Sequence, residues 1–121
     1  MNVTLNPFSF NQAANILFIE QPAGVGFSYP LNGKSNDAEA ANDTDTALRA
    51  FVDMHPELKG RPFFVMGESY GGHYVPNTAK AVQEGNAALT PAQRAAGEAI
   101  NLKGFAVGNG CVWGVWGGRG G

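Results

Sequence analysis

The sequence carries little net charge and no long apolar run. Eight basic and 10 acidic residues give a formal net charge of -2, and no basic stripe could neutralise a row of phosphates. The longest uncharged apolar runs, 16–19 and 63–66, are far shorter than the ~20 residues of a membrane-spanning helix. We therefore expect no nucleic acid and no membrane as partner, and a hydrophobic content of 44% favours a folded domain over disorder.

Cysteine is almost absent as well. Cys111 is the only one, which excludes a disulfide within the chain. The first residues have neither the basic nor the apolar region of a secretory signal, so we expect no signal peptide in this chain. Asn2 and Asn42 nevertheless begin Asn-x-Thr triplets, which fit the acceptor pattern for N-glycosylation but also arise by chance. Glycosylation of these two residues is a hypothesis.

Three short apolar runs are typical of strands buried in a sheet, at 15–21, 62–66 and 102–107. Gly24 and Gly26 follow the first run and predict a tight loop at its carboxyl end. Because helical patterns separate the strands, the order predicts an α/β fold with three layers, a mainly parallel sheet and right-handed crossovers.

Two stretches between the runs have the spacing of helices. From 37 to about 54, apolar residues recur every three or four positions, Asn36 or Asp37 can cap the start, and Pro56 ends the helix. A second helix is predicted over 70–82.

Two other stretches have no clear period. Residues 85–99 form either a short helix that starts at Thr90 and Pro91 or a mobile surface loop. Residues 111–121 are rich in glycine and tryptophan, and we interpret them as an unstructured tail from a translated intron or a frame error rather than a functional element. The folded domain is expected over 1–110.

One motif carries chemistry. Gly67-Glu68-Ser69-Tyr70-Gly71 fits the pattern G-x-S-x-G, in which a serine lies on a sharp turn between a buried strand and a helix. The flanking glycines leave room for the strained turn, the Ser69 hydroxyl projects above the sheet, and the Tyr70 N–H points at the oxyanion position. The alternative is that Ser69 merely caps the second helix.

Three ordered segments carry a family resemblance. The residues at 6–29 (NPFSFNQAANILFIEQPAGVGFSY), 67–76 (GESYGGHYVP) and 102–110 (LKGFAVGNG) resemble serine carboxypeptidases, which have the α/β-hydrolase fold, in order and in spacing. The resemblance implies a peptide or protein substrate with a free C-terminal carboxylate and neither a cofactor nor a metal. It also implies a vacuolar, lysosomal or secreted parent protein.

The resemblance assigns roles to six residues. Ser69 is expected to be the nucleophile, the Tyr70 N–H an oxyanion donor, and Glu68 a protonated partner of the substrate carboxylate, which implies an acidic working range. Gly24, Gly26 and Tyr29 are expected to line the site. The alternatives are a solvated Glu68 at the start of the helix and a loop that serves packing alone.

The chain also departs from the family pattern. No aspartate follows Ser69, and His73, the only later histidine, is not matched to the catalytic base; His55 is expected at the surface. The family's upstream Asn-Gly-Gly-Pro-Gly segment is missing. We expect an internal piece of a carboxypeptidase with little activity of its own; the alternatives are a related acyltransferase or esterase, or a non-catalytic truncated product.

Overall fold

The computed structural model describes residues 3–29 and 36–111. It contains helix α1 (Asp37–Met54), strand β1 (Phe63–Glu68), helix α2 (Gly71–Ala88), the short helix α3 (Pro91–Ala95) and strand β2 (Leu102–Gly108). Single 3-10 turns at Phe10–Gln12 and Pro56–Leu58 complete the regular structure of these residues. None of their helices is both long enough and apolar enough to cross a membrane.

The two strands form a parallel pair, with Val65 opposite Phe105 and Met66 opposite Ala106. The chain passes from β1 to β2 through α2 and α3, as the alternating sequence pattern predicts. Helix α2 packs on the sheet and α1 packs on α2. The parallel α/β class predicted from the sequence is therefore confirmed.

Helix α1 begins where a cap is available. The Asn36 carboxamide oxygen accepts hydrogen bonds from the N–H groups of Ala38 and Glu39, each at 3.0 Å. The Glu39 carboxylate accepts one in return from the Asn36 N–H at 3.3 Å, which completes a capping box. Of the two predicted caps the structure uses Asn36, and the predicted bounds of the helix are confirmed.

The core lies between the helices and the start of β2. Leu48, Val82 and Ile100 are almost fully buried, with exposed fractions of 3%, 0% and 7%, and Ile19 and Phe63 pack against them. The apolar residues that recur every three or four positions on α1 and α2 supply this contact.

A polar link reinforces the same contact. The Arg49 guanidinium pairs with Asp45 at 2.8 Å and donates to the Val82 carbonyl at 3.3 Å. The Asn86 side chain in turn donates to the Ile100 carbonyl at 2.7 Å and accepts from the Ile100 N–H at 3.0 Å. Helices α1 and α2 and the entry to β2 therefore form one unit.

The stretch at 85–99 is helical on both sides of a short gap. Helix α2 continues to Ala88, and α3 starts at Pro91 after Thr90, whose hydroxyl accepts from the Gln93 N–H at 3.3 Å. The helical alternative is confirmed, and the loop alternative is wrong. Residues 112–121, most of the predicted tail, lie outside the described residues.

The strand predicted at 15–21 is not formed. Among the described residues no strand pairs with this run, and Phe18 is 81% exposed while Ile16 and Leu17 are about 40% exposed. Only Ile19 reaches the core. A strand needs a neighbour for its backbone hydrogen bonds, and an apolar run does not specify that neighbour. The prediction of a central strand here is wrong for the described structure.

Candidate active site

Ser69 lies on a sharp turn between β1 and α2. Strand β1 ends at Glu68 and α2 begins at Gly71, so only Ser69 and Tyr70 connect them. Ser69 has a φ of +56°, in the left-handed region that L-residues other than glycine rarely adopt, at a cost of roughly 1–2 kcal/mol. The strand, turn and helix that the motif requires are all present.

A close approach of helix and strand explains the first glycine of the motif. A Cβ atom on Gly67 would lie 2.8 Å from Cγ2 of Val75, a buried residue one turn into α2. A side chain at position 67 would therefore force the Val75 side chain or the start of α2 to shift. The motif glycine permits the close approach of α2 to β1.

The turn that follows β2 holds the elbow from the other side. The Ser69 N–H donates to the Gly108 carbonyl at 3.0 Å, and the Cys111 N–H donates to the Ser69 carbonyl at 2.7 Å. Asn109, between them, has a φ of +45°. Sequence analysis quoted this turn as part of a family segment but gave it no role at the site. The signal was available, because Gly-Asn-Gly after a strand predicts a turn at the carboxyl edge of the sheet.

Three polar groups at the elbow, on Glu68, Ser69 and Tyr70, lack partners among the described residues. Within 3–29 and 36–111, no group hydrogen-bonds the Ser69 hydroxyl and no acceptor takes the Tyr70 N–H. Glu68, the exposed last residue of β1, forms no ion pair or side-chain hydrogen bond with those residues. A serine hydroxyl, a backbone N–H and a carboxyl group therefore lie on three consecutive residues, and none of them has a partner among the described residues.

Tyr70 and His73 face the start of α1. The Tyr70 hydroxyl donates to the Asp37 carboxylate, with oxygens at 3.2 and 3.4 Å, and Nδ1 of His73 lies 3.5 Å from Asp37 Oδ2. The two rings stack with centroids 4.7 Å apart. Partial desolvation and, after it, the Asp37 charge raise the pKa of Tyr70. The sequence pattern indicates Asp37 only as a possible helix cap and does not predict its contact with Tyr70 and His73.

His73 forms no hydrogen bond with Ser69 in this arrangement. Its Nδ1 faces Asp37, and its buried Nε2 has no hydrogen-bond partner among the described residues. His55 lies at the end of α1, 3.2 Å from Glu57. The prediction that neither histidine is the catalytic base stays a prediction.

The glycine loop is organised by Glu20, which sequence analysis also missed. Glu20 Oε2 accepts from the Phe27 N–H at 2.7 Å, and the Ser28 hydroxyl donates to the Glu20 carbonyl. Gly26 has a φ of +53°, and a Cβ atom there would overlap the Glu20 carboxylate. The predicted residues Gly24, Gly26 and Tyr29 are all exposed.

The loop and the elbow are joined through α1. The Thr44 hydroxyl donates to the Gln21 carboxamide at 2.8 Å, next to the loop, and Asp37 contacts Tyr70 at the elbow. The hydrogen bonds of the loop itself go to its own residues. The structure thus groups Glu68, Ser69 and Tyr70, and places Gly24, Gly26 and Tyr29 in a separate element.

The structure describes only one of the two asparagines predicted to be glycosylated. Asn42 lies at an exposed position of α1. The Thr44 hydroxyl of the same triplet is buried, and its oxygen lies 2.7 Å from the Ala40 carbonyl oxygen. Asn2 lies outside the described residues. Glycosylation at both positions stays a prediction.

The sequence is similar to one protein family and to several curated proteins. The family model described as "Serine carboxypeptidase" matches residues 1–115. Serine carboxypeptidase-like 29 from Arabidopsis thaliana is 46% identical over 112 residues, which are 89% of this chain and 22% of that protein. Serine carboxypeptidase 3 from Oryza sativa subsp. japonica is 41% identical over 113 residues, 91% of this chain and 21% of that protein.

A third relative agrees. Serine carboxypeptidase 3 from Hordeum vulgare is 40% identical over 113 residues, 91% of this chain and 21% of that protein. The chain therefore spans about a fifth of the length of the curated relatives it matches. On the match over residues 1–115 and these identities, the chain belongs to the serine carboxypeptidase family.

Proposed function

We propose that this chain supplies the nucleophile of a serine-type carboxypeptidase, which hydrolyses C-terminal peptide bonds through an acyl-enzyme on Ser69. The observation that carries the proposal is the φ of +56° at Ser69, on a strand-to-helix turn, together with its unpartnered hydroxyl among the described residues. Strain of this kind persists only where the surrounding fold imposes it, and it concentrates at functional sites. A serine that only capped α2 would accept a hydrogen bond from the first turn of the helix, and Ser69 Oγ accepts none from the described residues.

The chemistry follows from three neighbouring groups. Ser69 Oγ attacks the carbonyl carbon of the last peptide bond, a C–O bond forms, and the carbonyl electron pair moves to the oxygen. The Tyr70 N–H donates to that oxyanion. The C–N bond then breaks as a proton reaches the amine nitrogen, and water hydrolyses the Ser69 ester to release the acid and restore the hydroxyl.

Glu68 is proposed to bind the terminal carboxylate of the substrate. Two carboxyl groups at hydrogen-bond distance can share one proton, because their like charges raise one of the two pKa values. This requires Glu68 to be protonated in the complex and implies an acidic working range. It fits a vacuolar, lysosomal or secreted location for the active protein.

The proton of the Ser69 hydroxyl must pass to a base. No aspartate follows Ser69 in the sequence, and His73 faces Asp37 instead of Ser69. A serine without a base is a poor nucleophile. We therefore propose that this chain turns over peptides slowly, and that Ser69 reacts only with electrophiles as strong as a fluorophosphonate.

A fluorophosphonate probe tests the proposal. The Ser69 oxygen forms a bond to phosphorus, fluoride leaves, and the hydroxyl proton passes to solvent. We expect mass spectrometry to place the adduct on Ser69 and expect Ser69→Ala to abolish it, while Ser9→Ala, which removes another serine of the chain, retains it. An adduct on a different residue, or equal labelling of the Ser69→Ala variant, contradicts the proposal.

A further inference from the structure

The Asp37 carboxylate joins the first turn of α1 to the elbow. It accepts the hydrogen bond of the Tyr70 hydroxyl at 3.2 Å and lies 3.5 Å from Nδ1 of His73, in the first turn of α2. Stacking of the two rings, at 4.7 Å, holds both partners against the same carboxylate. One side chain therefore contacts both residues that flank the first glycines of α2.

Asp37 is itself held in place from two directions. The Asn36 capping box fixes the first turn of α1, and the Arg49 contacts with Asp45 and the Val82 carbonyl fix the helix against α2 further along. A helix of 18 residues transmits that position to its first residue. The carboxylate is thus a fixed point to which the elbow is attached.

We propose that Asp37 is a positioning residue for the oxyanion donor of Ser69. This inference rests on the proposed function, since it concerns the Tyr70 N–H. Tyr70 has no intrahelical partner for that N–H, so its direction depends on the φ of −62° and ψ of −10° at Tyr70. Attachment of the Tyr70 ring to Asp37 restricts those angles, and preorganised donors stabilise an oxyanion more than mobile ones.

The electrostatics support the attachment. Among the described residues, the titratable groups that face Tyr70 are Asp37 from α1 and His73 and Tyr74 from α2. Desolvation first, and the Asp37 charge second, raise the pKa of Tyr70 above its usual 10.0. The Tyr70 hydroxyl that donates to Asp37 therefore stays neutral through the acidic and neutral range, and it ionises only as the pH rises through the raised pKa.

Variants of the full chain separate positioning from general stability. Asp37→Ala removes the acceptor of the Tyr70 hydroxyl, and Asp37→Asn keeps an acceptor oxygen without the charge. Tyr70→Phe removes the hydroxyl that donates to Asp37 but leaves the backbone N–H of residue 70. Asp43→Ala is the matched control, because Asp43 is an exposed acid of the same helix whose carboxylate has no partner among the described residues.

The readout is the second-order rate of fluorophosphonate labelling at Ser69. We expect Asp37→Ala and Tyr70→Phe to lower it by roughly 10-fold, since loss of orientation is costly even without loss of a reacting group. Asp37→Asn should restore most of the rate, and Asp43→Ala should leave it unchanged. A merely structural role would lower the melting temperature of Asp37→Ala without this pattern of rates. Unchanged labelling of folded Asp37→Ala overturns the inference and leaves the proposed function standing.

A second readout does not depend on labelling. The absorbance of ionised tyrosine is followed against pH in the wild-type chain, Asp37→Asn and Tyr70→Phe, which assigns Tyr70 among the three tyrosines. We expect Asp37→Asn to lower the pH at which Tyr70 ionises. If the wild-type chain is not labelled, the proposed function fails, and this titration alone decides whether Asp37 holds Tyr70. No shift in Asp37→Asn overturns the attachment.

Discussion

The elbow and the N-terminal segment both carry family motifs, but only the elbow finds the partners that its conformation needs among the described residues. At 67–76 every requirement of the turn is met locally or by β2: a glycine against Val75, a left-handed Ser69 and hydrogen bonds to Gly108. At 3–29 the apolar residues remain largely exposed and no strand forms. The partners of the elbow, Val75 and the turn after β2, are both present in the described chain, whereas a buried strand at 15–21 depends on neighbours that its apolar run does not specify.

Truncation of one apolar side chain in each region is expected to give the largest difference in stability. Leu48→Ala, at a residue 3% exposed, should lower the free energy of unfolding by about 2–5 kcal/mol because it leaves a cavity next to Val82. Phe18→Ala, at a residue 81% exposed, should change it by less than about 0.5 kcal/mol. Urea denaturation followed by circular dichroism measures both. A similar cost for the two variants would mean that 15–21 is packed after all.

The second largest effect on stability is expected at the contact between β1 and α2. Gly67→Ala should cost about 1–3 kcal/mol because the new Cβ meets Val75. Gly104→Ala is the matched control, since a Cβ there lies 3.8 Å from the nearest atom of Phe64, an ordinary contact. The same denaturation assay applies, and Val75→Ala in the Gly67→Ala background should recover part of the loss. Equal costs for the two glycine variants would refute the close approach at the elbow.

Sequence predicts this molecule best where the information is short-range. The spacing of apolar residues gives α1 its face, Asn36 and Glu39 give it a cap, and the glycines of 67–71 indicate the elbow. The sequence motif does not reveal that Asp37, 33 positions before Tyr70, meets its hydroxyl. That contact depends on how α1 crosses α2, which only the packed core determines.

The cap of α1 should have a smaller effect. Asn36→Ala removes the acceptor for two N–H groups of the first turn, so it should lower the free energy of unfolding by about 1 kcal/mol in urea denaturation. Asn11→Ala, at an exposed position of the N-terminal segment, serves as its control and should have no measurable effect on the midpoint of urea denaturation. If Asn36→Ala is as silent as Asn11→Ala, the first turn of α1 does not depend on its cap.

The smallest effect is expected at the end of α1. Backbone hydrogen bonding, followed by the nearby His55, lowers the pKa of Glu57 below its usual 4.5. A carboxyl group whose pKa is lower in the folded state than in the unfolded state stabilises the fold at pH values above its unfolded pKa. This contribution is lost as the pH falls through the folded pKa. We expect the wild-type chain to lose slightly more stability than Glu57→Gln as the pH falls below the usual pKa of 4.5. Parallel pH profiles of the two proteins would contradict this assignment.

The most direct test of the central claim, that the chain itself builds a reactive Ser69 elbow, compares native and unfolded protein. Fluorophosphonate labelling is measured before and after denaturation in urea, with the site located by mass spectrometry. We predict that the native chain is labelled at Ser69 and that unfolding abolishes the reaction, because the turn that exposes the hydroxyl beside the Tyr70 N–H is then lost. Equal labelling of native and unfolded chains would show that the elbow gives Ser69 no reactivity.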